Sequence, residues 1–292
     1  MHEADAAVSP PKPRDDELDV YGLTHPGLVR SHNEDHFLIG SLHRHLSILS
    51  TSLTDPERLQ LGGQRLAFLA MVADGVGGSR KGEVASRLVL EEVTAYITDS
   101  AREFYHADVH GEEFTQVLQD AATRVHQRVQ EMAAQDPERR GMATTLTLYL
   151  GVWPWIFLLQ VGDSRYYLYR DGVLNQVTRD QTMAQDLVDQ GILKRTDAFS
   201  SRWANVLSSS LGGQQTAPVV TRLRQEWGNV HLMCSDGLTR HVPDARIAER
   251  LRAMTSSRQA CEALLQDALD GGGTDNITII VGRAVSRPAP TS

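Results

Sequence analysis

Four apolar runs in this 292-residue chain end or begin on a carboxylate. Leu66-Ala-Phe-Leu-Ala-Met-Val-Ala73 runs into Asp74-Gly75, and Trp155-Ile-Phe-Leu-Leu-Gln-Val161 runs into Gly162-Asp163. Val230-His-Leu-Met-Cys234 runs into Ser235-Asp236-Gly237, and Thr274-Asp275-Asn276 opens Ile277-Thr-Ile-Ile-Val281. A carboxylate beside a core is costly unless it is paired or binds a metal. No matching set of fixed cations stands beside these acids in the sequence. Converging Asp residues with few His or Cys partners are hard oxygen ligands, suited to Mg²⁺ or Mn²⁺ rather than Zn²⁺. A single Asp-Gly is ordinarily just a turn, as expected at Asp171-Gly172. Periodicity alone does not bring the four strand-end acids together.

Arg30-Ser-His-Asn-Glu34-Asp35 precedes another apolar run. Arg grips phosphate bidentately, and acids beside it can hold metal-bound water. An internal ion pair is the competing reading. Other candidates are weaker. His25, His32, His36, His43 and His45 lack the i, i+4 spacing of an HExxH helix. Ser208-Ser209-Ser210 has no GxSxG setting for a nucleophile. Trp153, Trp155, Tyr166, Tyr167 and Tyr169 sit at strand spacing and read as sheet packing rather than a base-stacking platform.

Elements must hold these residues in place. Strands are predicted at Asp19–Thr24, Asp35–Ile39, Leu66–Ala73, Thr144–Val152, Trp155–Val161, Arg165–Arg170, Val173–Thr178, Pro218–Leu223, Asn229–Cys234 and Asn276–Arg283. Asp171-Gly172 suits a two-residue hairpin turn. Helical spacing predicts Glu83–Asp99 and Glu112–Ala134, then shorter helices at Thr182–Gln190, Asp244–Arg252 and Ser256–Leu269. Residues 40–65 read as an irregular insertion. Strands follow one another through short turns, and the long helices fall between strand groups. That pattern is α+β with mainly antiparallel sheets, not a βαβ repeat.

Composition bounds the function classes. Lys and Arg number 29 against 37 Asp and Glu, a formal charge of −8, which argues against a nucleic-acid binder. Cys234 and Cys261 form no CxxC and read as buried hydrophobes in a reducing compartment. The N-terminal residues carry no apolar signal-peptide core. Leu146–Val161 is apolar but short and split by Gly151 and Pro154, so it reads as two strands rather than a membrane span. The expectation is a soluble cytoplasmic protein without a membrane partner: a disordered lead over 1–18, one domain over 19–285 and a tail over 286–292.

Taken in order, VRSHNED (29–35), VADGVGGSRKGEVAS (72–86), GMATTLT (141–147), VGDSRYYLYRDG (161–172), VTRDQT (177–182), VLSSSLGG (206–213), CSDGLT (234–239) and GGTDNIT (272–278) resemble the metal-dependent, type-2C Ser/Thr protein phosphatases, most closely their compact bacterial branch. The resemblance covers roughly residues 19–284. It implies a four-layer α-β-β-α sandwich with metals in a cleft at one end. Carried over by position, Asp74 bridges two metals, the Gly75 carbonyl binds the second, and Asp236 and Asp275 bind the first. Glu34 and Asp35 contact metal-bound waters, Arg30 binds phosphate, and Asp163 with Asp236 can form a third metal site. Gly141, Thr144 and Thr145 look structural. The implied reaction is hydrolysis of phosphoserine or phosphothreonine in proteins by water activated between two divalent ions, Mn²⁺ or Mg²⁺, with a third ion as an option. The implied setting is a monomer opposing a Ser/Thr kinase in signalling, with the kinase or its targets as substrate.

The chain departs from the family pattern in four places. Val76 stands where some members carry His as a general acid. Arg240 stands where a second acid of the third metal site can sit. Ser208-Ser209-Ser210-Leu211-Gly212 replaces Thr-Arg-Ala-Leu-Gly, and Asp180-Gln181-Thr182 replaces Asp-His-Ser. A non-catalytic phosphoprotein-binding module would have lost metal ligands, yet Asp74, Asp236 and Asp275 are all present. A small-molecule phosphoester hydrolase is the third option, separable by comparing a phosphothreonine peptide with a nucleotide.

Overall fold

The computed structural model describes residues 11–44, 63–76, 80–100 and 112–286. Strands β1 (Leu18–His25), β2 (His36–Arg44), β3 (Gln64–Ala73) and β4 (Gly75–Val76) lead into helices α1 (Arg80–Asp99) and α2 (Glu112–Gln135). β5 (Ala143–Thr144), β6 (Leu146–Val152), β7 (Trp155–Val161), β8 (Arg165–Arg170) and β9 (Val173–Gln176) follow, then α3 (Met183–Asp189). β10 (Val219–Arg224), β11 (Val230–Cys234), α4 (Asp236–Thr239), α5 (Asp244–Arg252), α6 (Ser257–Asp270) and β12 (Ile277–Ala284) complete the chain.

Two five-stranded sheets form, ordered β1-β12-β11-β8-β9 and β10-β7-β6-β3-β2, and every pairing within them is antiparallel. Alternate side chains of a strand point to opposite faces. In β3, Leu69, Met71 and Ala73 therefore face α1 and α2, where they meet Val89, Val93, Leu118 and Val125. Ala70 and Val72 point the other way, toward Tyr166, Met233 and Ile280 of the opposite sheet. In β12, Ile277, Ile279 and Val281 turn outward onto α5 and α6 through Ile247, Leu251 and Leu264. Both faces of the central strands are buried, which is why they read as unbroken apolar runs. The result is the expected α-β-β-α sandwich.

The Asp171-Gly172 turn joins β8 to β9 with φ of 50° and 83°, as a two-residue hairpin turn requires. The apolar run Leu146–Val161 is the β6–β7 hairpin. Among the described residues no helix is long and apolar enough to cross a membrane.

Two sequence expectations change. The irregular insertion over 40–65 is narrower than composition implies: β2 continues through Arg44 and β3 already begins at Gln64. His43 pairs with Arg65 across a register shift, and Leu42 packs on the core, so this edge is held by cross-strand pairing despite its polar residues. Residues 45–62 lie outside the described residues. The lead expected over 1–18 is docked where it is described. The Trp227 indole donates to the Pro11 carbonyl at 2.9 Å, Arg65 donates to the Pro13 carbonyl at 2.6 Å and also pairs with Asp15, and Glu17 is buried. Residues 1–10 and 287–292 lie outside the description.

Candidate active site

Antiparallel pairing decides which strand ends share an edge. β3 and β7 each pair antiparallel with β6, so both run the same way and Asp74 and Asp163 leave at the same end. β2 runs against β3, with His36 opposite Ala73, so Glu34 and Asp35 enter at that end as well. In the other sheet β11 runs against β12, which puts Asp236 after one and Asp275 before the other. A cleft of about 560 Å³ opens there, lined by Arg30, Glu34, Asp74, Gly75, Asp163, Asp236 and Asp275 together with His32, Val76, Asn205, Arg240 and Asn276. Of the residues expected to hold metal, metal-bound water or phosphate, all line this cleft except Asp35, which is buried.

Asp35 joins the two sheets at the cleft floor. It is 3% exposed, and its Oδ2 accepts from Ser235 Oγ at 2.7 Å and Thr278 Oγ1 at 2.8 Å. Among the described residues its buried Oδ1 has no partner. Burial raises its pKa to about 7, against the two hydroxyl donors, and Asp236 and Asp275 add to the rise. Asp74 is pushed well above the ordinary carboxylate range by burial, then by Asp35, Asp236 and Asp163. Asp163 is raised by burial and by Asp236 and Asp180. Burial also raises Asp236, although Arg240 pulls it down, and Glu34. Acids that repel one another in a partly dry site hold protons until a cation arrives.

The backbone around the acids is pinned. Thr145 Oγ1 accepts from the Asp74 N–H at 3.1 Å, and Thr144 Oγ1 donates to the Asp74 carbonyl at 2.8 Å. Thr144 also exchanges backbone hydrogen bonds with Leu211, which anchors the Ser208–Gly212 loop. This matches the structural role expected of Thr144 and Thr145. Gly75 packs so close to Gly82 and to the Glu34 carbonyl that no side chain fits. At Gly237 an added Cβ would meet the Asn276 carbonyl.

Two arginines hold the acids on the open side. Arg30 is bidentate on Asp275, with Nε to Oδ1 at 2.9 Å and Nη2 to Oδ2 at 3.0 Å. Arg240 reaches Asp275 through Nη1 at 3.1 Å and Asp236 through Nη2. Among the described residues no three His, Cys, Asp or Glu side chains are already grouped as a metal cage, consistent with two of the carboxylates being turned onto guanidinium groups. The oxygen-only donor set, the unpartnered Asp35 Oδ1 and the mutually raised acids nonetheless fit a hard divalent cation held by one or two carboxylates and water.

Several supporting residues carry little local signal of their role. Asn276 accepts from the Glu34 N–H at 2.8 Å and donates to the Pro26 and His32 carbonyls at 3.0 and 2.9 Å. His241 accepts from the Thr274 N–H at 3.0 Å and bonds the Gly271 carbonyl at 3.0 Å, fixing the loop before Asp275. Gln181, one of the departures, accepts from the Gly162 N–H at 2.7 Å and donates to the Ala217 carbonyl at 2.9 Å. Adjacency to Asp275 was the available clue for Asn276. His241 offers none, because its partners are remote in sequence, and Gln181 stands out only as a departure from the family pattern.

An acid-lined cleft at one end of a helix-flanked antiparallel sandwich defines the phosphatase class whose family model, protein phosphatase 2C, matches residues 58–271. The chain belongs to the protein phosphatase 2C family. It is 33% identical over 259 residues to the serine/threonine protein phosphatase PstP of Mycobacterium tuberculosis, covering 89% of this chain and 43% of that protein. Less than half of that relative's length is therefore spanned. The serine/threonine phosphatase stp of Listeria innocua is 30% identical over 221 residues, 73% of this chain and 83% of that one. The catalytic domain of PstP, solved in complex with two manganese ions, superposes with a TM-score of 0.71 at 31% identity, covering 92% of this chain and 99% of that one.

Proposed function

We propose that the chain is a metal-dependent protein phosphatase that hydrolyses phosphoserine or phosphothreonine in protein substrates, with residues 19–285 as one catalytic unit. The observation that carries this reading is the meeting of Asp74, Asp163, Asp236 and Asp275, from four separate strand ends, in one cleft with Arg30 at its lip. Asp74, the Gly75 carbonyl, Asp236 and Asp275 would hold two divalent ions, Mn²⁺ or Mg²⁺. Such ions supply Lewis acidity and lower the pKa of water, so that it attacks at neutral pH.

The chain's own residues do the rest. Arg30 is half exposed, and its planar fork can turn from Asp275 to two phosphoryl oxygens. There it offsets charge that grows in the transition state. Glu34, on the cleft wall, would accept hydrogen bonds from water there, and the buried Oδ1 of Asp35 would accept from a water reaching past the lining. Asp35 in turn is oriented by Ser235 and Thr278. Val76 sits 37% exposed at the rim and has no proton to give the leaving oxygen. The signalling partner follows from the chemistry: a phosphoprotein made by a Ser/Thr kinase.

The test is hydrolysis of a phosphothreonine peptide and of a nucleotide with Mn²⁺, with Mg²⁺ and with chelator, using Asp236→Ala as control. Metal-dependent peptide hydrolysis that the variant lacks is the expected result. Activity that survives chelation, or a preference for the nucleotide, overturns the reading.

A further inference from the structure

Arg240 is the cation on which the acid cluster closes. It caps α4, with its N–H on the Asp236 carbonyl at 2.9 Å, so its side chain returns over the same turn as Asp236. One arm of the guanidinium takes Asp236 and the other takes Asp275 at 3.1 Å. Asp163 lies near enough for the two charges to act on each other. Arg240 thus faces three of the four strand-end acids. It also lines the neighbouring pocket of about 760 Å³, with Arg165, Asp180, Phe199 and His241. Arg30 differs: among the described residues its ion pair is with Asp275, and its side chain is more exposed.

We propose that Arg240 is a resident cation that competes with divalent ions for Asp236 and Asp275 and fills with its own charge the place a third ion would take beside Asp163. A guanidinium engaged by two partly buried carboxylates must be displaced before those oxygens can ligate a metal. A charge-assisted hydrogen bond of this kind weakens a competing ligand by about tenfold or more. The same fixed charge repels any further cation approaching Asp163 and Asp236. The cleft therefore takes two divalent ions and refuses a third, and it needs a higher metal concentration than the same cleft without Arg240. This proposal rests on the metal-site reading above, and its test separates the two.

The experiment is calorimetric titration of the full chain with Mn²⁺, for the wild type and for Arg240→Gln, Arg240→Lys and Arg240→Asp. Thermal unfolding in chelator is followed in parallel to verify folding. Two ions are expected for the wild type. Arg240→Gln should bind two ions about tenfold more tightly. Arg240→Lys, which keeps the charge, should stay nearer the wild type. Arg240→Asp adds a carboxylate beside Asp163 and Asp236 and should bind a third ion. Unchanged or weaker Mn²⁺ affinity in folded Arg240→Gln, or no third ion in folded Arg240→Asp, overturns the role of Arg240 and leaves the two-ion site standing. Absence of Mn²⁺ binding in every folded form overturns the metal-site reading and this proposal with it.

Discussion

Gly237→Ala isolates the geometry of the cleft from its chemistry. The change leaves every charged and hydrogen-bonding side chain in place. The new Cβ would stand 2.9 Å from the Asn276 carbonyl carbon and closer still to its oxygen, whereas ordinary contact starts at 3.4 Å. Both obstructing atoms are backbone, so no rotamer change relieves the clash. The start of α4 and the Asp275–Asn276 segment must part by roughly an ångström, a misplacement that can cost about 10²-fold in rate. Asp236 and Asp275 ride on those two segments, and Asn276 carries Glu34 with it. Overpacking of this kind costs about 1–3 kcal/mol, which a domain of ordinary stability survives. The matched control is Gly40→Ala in β2, whose Cβ would, among the described residues, touch just Leu38 Cδ2 at 3.6 Å. The assay is kcat/KM on a phosphothreonine peptide at saturating Mn²⁺, with urea unfolding alongside. Gly237→Ala should lose about 10²-fold while staying folded, and Gly40→Ala should match the wild type. A Gly237→Ala enzyme within about threefold of wild type would refute the reasoning, because the acids would then tolerate a shift that positional catalysis forbids.

Asp74→Asn should abolish hydrolysis yet raise the unfolding temperature in chelator at pH 8, since it removes a carboxylate whose charged form is penalised by burial and then by its acidic neighbours. Metal-free stability should fall as pH rises from about 4 to 7: Asp35 titrates near 7 in the fold against about 3.9 unfolded, so the native state binds more protons in that window. Asp35→Asn should flatten that slope in urea titrations at stepped pH. By the same linkage Mn²⁺ binding should release protons and tighten over this range, which calorimetry in buffers of different ionisation enthalpy would read. Ser235→Ala removes a donor to Asp35 and an acceptor of the Thr278 N–H, and should cost about 1–3 kcal/mol in urea unfolding. Cys234 and Cys261 are buried, with thiols pushed up to about 12, so neither should react with a thiol reagent until the chain unfolds.

The sequence by itself determined the strands, their apolar character and the acids at their ends. Alternation and turn chemistry act over a few residues, so Leu66–Ala73, the Asp171-Gly172 hairpin and the capped helix at Ser257–Asp270 were legible without coordinates. The edge at 40–44 was not, because its polar residues are held by pairing with β3 rather than by local preference. The motifs in their order disclosed the family, and the family disclosed which acids to watch. What those acids do to one another was decided only by the tertiary structure. Asp74, Asp163, Asp236 and Asp275 are far apart along the chain, and the direction of each antiparallel strand settles at which end its acid emerges. Burial then raises the proton affinity of Asp74, Asp163 and Asp236, the Asp35 carboxylate ties one sheet to the other, and Arg30 and Arg240 both close on Asp275. Such long-range electrostatics depend on distance and desolvation. Neither quantity exists until the two sheets have packed.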